Sequence, residues 1–198
     1  MGEIPFFKEL FMKHVFILNP VSGRESAKTL IPVIEDYFKN SEEEYEILKT
    51  EYAGHAKELA SQFHKEDNVC IYATGGDGTL WEVVNGLNPE VTFSIIPSGT
   101  GNDFFRMIEA NIYDMAKLVK DTIEGEEIKI DYGVCNGMRF INCLCMGIDG
   151  TSATPPIHII NLLVLIDKQT KPLFEISDNI IVNIEFRGKL QFRFKHLL

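Results

Sequence analysis

The sequence predicts an α/β fold with a mostly parallel sheet, followed by part of an antiparallel β-rich second domain. Short apolar runs alternate with amphipathic helical segments up to about residue 125, which is typical of a parallel sheet. Beyond that point, strand-like segments are joined by hairpin-like turns. We therefore expect a leader at 1–13, an α/β domain at 14–125 and a partial β-rich domain at 126–198.

The composition excludes several functional classes. The chain has 198 residues, is 45% hydrophobic and carries a formal net charge of −10. A hydrophobic fraction of this size supports a packed core, whereas nucleic-acid binding by charge would need clustered Lys and Arg. No CxxC or HExxH spacing indicates a zinc or redox site, so we expect the four cysteines to be reduced core thiols: Cys70, Cys135, Cys143 and Cys145.

No signal peptide or membrane-spanning segment is predicted. Charged residues interrupt Met1–Lys13, and the apolar segment Ile157–Ile166 is too short to cross a bilayer. We therefore expect a cytoplasmic protein with peripheral membrane contact at most.

The first two strand–helix units follow the leader. An apolar strand at His14–Leu18 precedes a helix over Glu25–Phe38, with Pro32 near the start of that helix. A strand at Tyr45–Thr50 precedes a helix over His55–His64, whose apolar residues fall on one face.

Two further units complete the predicted sheet. A strand at Val69–Ala73 leads through a glycine-rich turn into a helix at Thr79–Asn85. A strand at Thr92–Ile96 leads through a second such turn into helices at Asn102–Met107 and Ile112–Ile123. Ligands of such sheets bind beyond the carboxyl ends of the strands, where these turns fall.

The remaining residues read mainly as β structure, with hairpin turns predicted at Asn136-Gly137 and Arg187-Gly188. The pattern of the segment Thr151–Leu173 is compatible with either a helix or a strand. The predicted strands are Ile128–Cys135, Arg139–Met146, Asn179–Arg187 and Leu190–Lys195.

One glycine-rich turn, Gly75–Thr79, lies directly between a strand and a helix. Glycine allows several backbone N–H groups to converge on a phosphate, and the helix N-terminus adds partial positive charge. Thr79 could cap the helix or donate its hydroxyl to a phosphate oxygen. Asp77 is repelled by phosphates unless a cation such as magnesium intervenes, although an aspartate can also simply stabilise its own turn.

Two similar turns occur at Ser98–Asp103 and Asn19–Gly23, each after a strand. Three small-residue turns at the ends of alternating strands indicate an anion or nucleotide site. The sequence contains neither GxxxxGK[ST] nor the third glycine of a dinucleotide fingerprint, so these residues alone do not specify the ligand further.

Three motifs occur in a familiar order: NPVSG at Asn19–Gly23, GGDGTLWEVVNGL at Gly75–Leu87 and PSGTGNDF at Pro97–Phe104. Together they resemble the catalytic domain of the diacylglycerol kinase family, which includes sphingosine, ceramide and related bacterial lipid kinases. The resemblance runs from about His14 to Asp149. It implies an NAD-kinase-like nucleotide-binding domain followed by part of an antiparallel β-sandwich domain.

The resemblance also implies a set of site residues. ATP would bind with Mg²⁺, and aspartates from two turns and from the second domain would meet at the metal: Asp77, Asp103 and Asp131. The residues implied at or near the nucleotide are Asn19, Ser22, Gly23, Thr50, Gly75, Gly76, Asp77, Gly78, Thr79, Leu80, Trp81, Glu82, Gly99, Thr100, Gly101 and Asn102.

The implied reaction transfers the γ-phosphoryl group of ATP to a lipid hydroxyl at the membrane surface, with Asp77 as candidate catalytic base. Diacylglycerol is the first expected acceptor, and a sphingoid base or undecaprenol stays open. A homodimer also stays open. Family members usually continue with further strands and another acidic motif. Gly147–Gly150 resembles their Gly-x-Asp-Ala, but Thr151–Pro156 does not continue in the usual basic and helical way. The second domain is therefore expected to be partial.

Three alternatives remain. An NAD kinase would share GGDGT, although NPVSG and PSGTGND disfavour it. A nucleotide-binding module could bind ATP without turnover. A purely structural α/β domain could use the glycine turns only to close loops.

Overall fold

The computed structural model describes residues 12–23, 26–108, 114–141, 144–145, 161–162, 173–176 and 180–194. The chain forms two compact units, Met1–Lys129 with Leu190–Leu198, and Ile130–Lys189. The first boundary between the units falls between Lys129 and Ile130, four residues beyond the boundary predicted between residues 125 and 126. The C-terminal residues belong to the first unit rather than to the β-rich second one.

Four parallel strands form the centre of the first unit, in the order β2-β1-β3-β4. They are β1 (Lys13–Leu18), β2 (Tyr45–Lys49), β3 (Val69–Gly75) and β4 (Thr92–Pro97). All residues of β3 and β4 are buried, as expected for apolar strands covered on both faces. The predicted α/β fold with a mostly parallel sheet is confirmed.

Helices follow these strands as predicted, with small differences at their ends. The second helix ends at Ala60 rather than at His64, and Pro32 is the seventh residue of the first helix rather than near its start. Part of the last predicted helix, 112–113, lies outside the described residues. The helices are α1 (Ser26–Phe38), α2 (His55–Ala60), α3 (Asp77–Gly86), α4 (Asp103–Ile108) and α5 (Met115–Ile123).

The core beneath α1 and α5 contains an aromatic stack. Phe16 on β1 lies 4.6 Å from Tyr72 on β3, measured between ring centroids. His14 Nδ1 is 2.9 Å from the Tyr72 hydroxyl. Burial lowers the pKa of His14 to about 4, although the nearby Glu43 carboxylate acts in the opposite direction. The imidazole is therefore neutral at pH 7.

The last described strand, β10 (Ile180–Phe194), returns to the first unit. Phe192 pairs with Phe93 of β4 in parallel, and Ser94 Oγ donates a 2.7 Å hydrogen bond to the Arg193 carbonyl oxygen. The predicted hairpin at Arg187-Gly188 is wrong. Gly188 has φ +155° inside one continuous strand, because the chain runs on to pair with β4 instead of reversing.

The second unit contains antiparallel pairs. Residues of β5 (Glu126–Cys135) pair with β6 (Met138–Phe140) across the predicted Asn136-Gly137 turn, whose residues have φ +48° and +82°. The predicted strand Arg139–Met146 is interrupted, and most of the open segment 151–173 lies outside the described residues. The other strands are β7 (Leu144–Cys145), β8 (Asn161–Leu162) and β9 (Leu173–Ile176), with β9 antiparallel to β10.

Buried thiols agree with the sequence analysis. Cys70 and Cys135 are free and buried, and burial raises the pKa of Cys70 to about 12. The side chains of the other two cysteines lie outside the described part. Among the described residues, no helix combines the length and apolar character needed to cross a membrane.

Candidate functional site

The three glycine-rich turns lie side by side at the carboxyl edge of the sheet. Asn19 N–H, after β1, donates to the Thr74 carbonyl at the end of β3, at 3.0 Å. Ser98 N–H, after β4, donates to the Gly75 carbonyl at 2.9 Å. Parallel strands place their ends together, so turns far apart in sequence become neighbours.

The turn after β1 is locked against the turn after β4. Gly23 has φ +58°, and a Cβ there would collide with the Ser98 carbonyl oxygen. Ser26 Oγ, at the start of α1, donates to the same oxygen at 2.7 Å. Only glycine combines this backbone conformation with so close an approach.

The turns after β3 and β4 are in close contact through two glycines. A Cβ on Gly99 would lie 2.6 Å from the Gly76 Cα, and a Cβ on Gly76 would lie 3.7 Å from Ser22 Oγ. Asn102 fixes this turn because its Oδ1 accepts from Gly99 N–H at 3.2 Å and its Nδ2 donates to the Gly99 carbonyl at 2.7 Å. Asn102 adopts φ +55°, a conformation that asparagine tolerates.

Two predicted metal ligands face the same turn. Asp77 Oδ2 lies 3.0 Å, and Asp103 Oδ1 4.0 Å, from the position of a Cβ on Gly101. Asp77 Oδ1 accepts a hydrogen bond from Phe104 N–H at 3.3 Å. Each carboxylate begins a helix, where the helix dipole favours negative charge.

The start of α3 differs from the prediction. The helix begins at Asp77 with Gly76 as its N-cap, so Thr79 does not cap it. Thr79 is buried, and its Oγ1 accepts from Asn19 Nδ2 at 3.3 Å. Leu80 also buries its side chain in the core. Because the helix starts two residues before the predicted position, its N-cap is a glycine, and no side chain caps it.

Other predicted site residues at the carboxyl edge of the sheet are exposed or lie beside open space. Among the residues that the structure describes, nothing lies within 4 Å of a Cβ built on Gly78. Trp81 is 37% exposed and Thr100 is exposed. Thr50 N–H donates to the Leu18 carbonyl at 2.9 Å, which fixes the end of β2 beside β1.

Glu82 makes contacts that its sequence position did not indicate. Its Oε1 accepts from Gly54 N–H at 2.9 Å, and its Oε2 accepts from Ala56 N–H at 3.1 Å. Both carboxylate oxygens therefore bind the backbone at the start of α2. The partners are more than 25 residues away, and no local spacing signals such a contact.

The third predicted metal ligand, Asp131, belongs to the second unit, where its Oδ1 lies 3.4 Å from Lys189 Nζ. The part of the chain that the structure describes contains no group of three or more His, Cys, Asp or Glu that could hold a metal ion. The three-aspartate metal site therefore stays a prediction.

Sequence reasoning missed Ser98 as a candidate contact. Ser98 is 8% exposed, and its Oγ has no hydrogen-bond partner within the described ranges. A buried hydroxyl left without a partner is unfavourable, by roughly 1–3 kcal/mol. Its position within PSGTGND was the available signal. A ligand at the three turns would be one way to satisfy this group.

Comparisons with known proteins identify the family of this chain. Residues 13–135 match the family model described as the diacylglycerol kinase catalytic domain. A diacylglycerol kinase of Bacillus subtilis is 39% identical over 129 residues, covering 64% of this chain and 43% of that protein. One from Staphylococcus carnosus is 36% identical over 136 residues, covering 66% and 44%.

A solved structure shows the same fold. The crystal structure of a diacylglycerol kinase from Bacillus anthracis superposes with a TM-score of 0.51 at 32% identity, covering 66% of this chain and 45% of that one. The chain spans less than half of the length of these relatives. By the match of residues 13–135 to the family model, the chain belongs to the diacylglycerol kinase catalytic-domain family.

Proposed function

We propose that this chain provides the nucleotide-binding part of an ATP- and Mg²⁺-dependent lipid kinase, which transfers the γ-phosphoryl group to a lipid hydroxyl, with diacylglycerol as first acceptor. The observation that carries the proposal is the set of interlocked turns after β1, β3 and β4. Two carboxylates, Asp77 and Asp103, face one of these turns at Gly101. Family membership supports the reaction class.

The turns suit a polyphosphate. In the described part of the chain, the space beside Gly78 is open and leaves room for a phosphate to approach the backbone at the N-terminus of α3. The Ser98 hydroxyl, which has no hydrogen-bond partner among the described residues, offers one further donor at the turn after β4. Fixed backbone N–H groups can hold phosphate oxygens without reorganising when charge shifts during transfer.

The same residues suit a magnesium ion. Asp77 and Asp103 each place a hard carboxylate oxygen within 4.0 Å of the position of a Cβ on Gly101. Mg²⁺ usually binds through one or two carboxylates together with phosphates and water. When bound, the ion would neutralise charge on the phosphates. Asp131 is the third proposed ligand, and its contribution would require release from Lys189.

Asp77 is also the proposed catalytic base. Its Oδ1 is held by Phe104 N–H, which orients the carboxylate and leaves Oδ2 to accept the proton of the lipid hydroxyl. Binding to the metal and removal of a proton compete for the same oxygen. Asp77 would therefore serve as base only where Asp103 carries more of the metal coordination.

The lipid acceptor places the reaction at a membrane surface, with ATP supplied from the cytoplasm. Contact with the membrane would be peripheral. A homodimer is compatible with this arrangement, and nucleic acid is not a proposed partner because the net charge of −10 opposes binding to phosphate backbones.

The test is transfer of labelled γ-phosphate from ATP, with Mg²⁺, to a panel of diacylglycerol, sphingosine, ceramide, undecaprenol and NAD. A phosphorylated lipid would support the proposal and identify the acceptor. Phosphorylated NAD would show an NAD kinase instead. ATP binding without any product would reduce the function of this chain to nucleotide binding.

A further inference from the structure

Two stacked rings lie just beyond the carboxyl end of β2, at the same edge of the sheet as the glycine-rich turns. The rings of Tyr52 and His55 have centroids 4.5 Å apart and planes inclined by only 4°. Tyr52 is 54% exposed. An aromatic surface therefore faces solvent after β2, which pairs with β1, the strand that Asn19–Gly23 follow.

Both rings are held by hydrogen bonds. The Tyr52 hydroxyl donates to Glu58 Oε2 at 2.7 Å, and Glu51 N–H donates to His55 Nδ1 at 3.1 Å. The second bond leaves the proton of the neutral imidazole on Nε2. Rings that are already oriented lose little conformational freedom when a flat ligand stacks on them.

Glu82 connects this pair to the phosphate loop. It lies on α3, which begins at Asp77, and its carboxylate binds the N–H groups of Gly54 and Ala56, the residues directly before and after His55 in the sequence. These N–H groups are thus already occupied by a carboxylate of the chain itself. The N–H groups at the start of α2 are therefore not available to an anion. What this segment offers an incoming ligand is the aromatic surface of Tyr52 and His55.

We infer that the Tyr52–His55 pair is the surface on which the purine base of ATP stacks, and that Glu82 is a positioning residue that fixes this pair relative to the glycine loop at 75–78. The assignment rests on the proposed function, because it presupposes that ATP binds at the three turns. Stacking on an aromatic ring contributes affinity without reading hydrogen bonds of the base.

The test compares two ligands by calorimetry, both with Mg²⁺: ATP, and tripolyphosphate, which has the phosphates but no base. Tyr52→Leu removes the ring and should weaken ATP binding about tenfold, the scale of one lost base stack, while tripolyphosphate affinity is unchanged. Tyr52→Phe is the matched control because it keeps the ring, and ATP affinity should be retained. Glu82→Gln should weaken ATP binding and spare tripolyphosphate.

Unchanged ATP affinity in Tyr52→Leu, or an equal loss for both ligands, would overturn the stacking assignment. Equal affinity of the wild-type protein for ATP and tripolyphosphate would also overturn the stacking assignment, because the base would then add nothing to binding. The proposed site for the phosphates of ATP would still stand. Unchanged ATP affinity in Glu82→Gln would remove the positioning role of Glu82. Wild-type protein that binds neither ligand would contradict the proposed function itself, which separates the two failures.

Discussion

Asp77 Oδ1 accepts a hydrogen bond from Phe104 N–H at 3.3 Å, so the residue that begins α3 also holds the first turn of α4. The bond joins the two turns that supply the candidate carboxylates. Asp77 therefore has a structural contact through one oxygen and a proposed chemical role through the other.

Exchange of Asp77 for asparagine should separate these two roles. An amide oxygen can still accept from Phe104 N–H, so the free energy of unfolding should change by less than ~1 kcal/mol. Loss of the negative charge should reduce Mg²⁺-dependent phosphoryl transfer by about 100-fold or more. Denaturant titration and a kinase assay measure the two effects.

Asp36→Asn is the matched control, because Asp36 is exposed on α1, away from the turns. It should alter neither stability nor transfer. Full activity in Asp77→Asn would remove Asp77 from the metal site and from the role of base.

Gly78→Val should block the ligand without disturbing the fold. No described residue lies within 4 Å of a Cβ at this position, so stability should change by less than ~1 kcal/mol. The added side chain would occupy the space proposed for a phosphate, and ATP affinity should fall at least about tenfold. Trp81, the one tryptophan of the sequence, provides a fluorescence signal for the titration.

Gly99→Ala, unlike Gly78→Val, should destabilise the fold. Its Cβ would lie 2.6 Å from the Gly76 Cα, so the two turns would have to move apart, at a cost of about 1–3 kcal/mol. Normal ATP affinity in a folded Gly78→Val protein would show that the phosphates do not approach this loop.

Protonation of His14 should make the fold sensitive to acid. Burial lowers the pKa of His14 to about 4, below the ordinary value of 6.5, so the unfolded chain binds a proton first as pH falls. This contribution to stability is complete above pH 6.5 and is lost as pH falls from there toward 4. Between pH 7 and pH 5 the loss should be about 2 kcal/mol, measured by urea unfolding.

His14→Gln should flatten this part of the pH dependence. His64→Gln, at an exposed position, serves as the control and should leave the slope unchanged. An equally steep slope in His14→Gln would mean that other groups, such as the nearby Glu43, cause the acid sensitivity.

Arg193 should be important for the first unit although it lies near the C-terminus. Its guanidinium donates to the Ile123 carbonyl at 3.1 Å and to Glu127 Oε1 at 2.9 Å, and its side chain is only 16% exposed. Arg193→Ala would leave the partly buried Ile123 carbonyl and the exposed Glu127 carboxylate without this donor. We expect a loss of about 2–3 kcal/mol in the free energy of unfolding.

Lys65→Ala tests the same type of ion pair at the surface. Lys65 and Glu90 are each more than 60% exposed, and loss of such a pair should leave the urea midpoint almost unchanged. Equal effects of the two substitutions on the urea midpoint would show that β10 does not stabilise the first unit.

The local pattern of the sequence predicted most of the first unit. The buried strands β3 and β4 are continuous apolar runs bounded by glycine turns, and α1 carries its apolar residues on one face. These signals are short-range, so they are readable without tertiary contacts. For the same reason the positions of the three turns were predictable from parallel strand order.

Three features were decided only by the tertiary structure. Glu82 binds the backbone at Gly54 and Ala56, Ser26 binds the Ser98 carbonyl, and β10 runs past Gly188 to pair with β4. Each joins residues far apart in the chain, so neither periodicity nor local turn residues could predict it. By itself, the sequence determined the strand–helix order and the chemistry of the turns. The tertiary structure determines which of their oxygens remain available to a ligand, because hydrogen bonds between distant segments depend on packing.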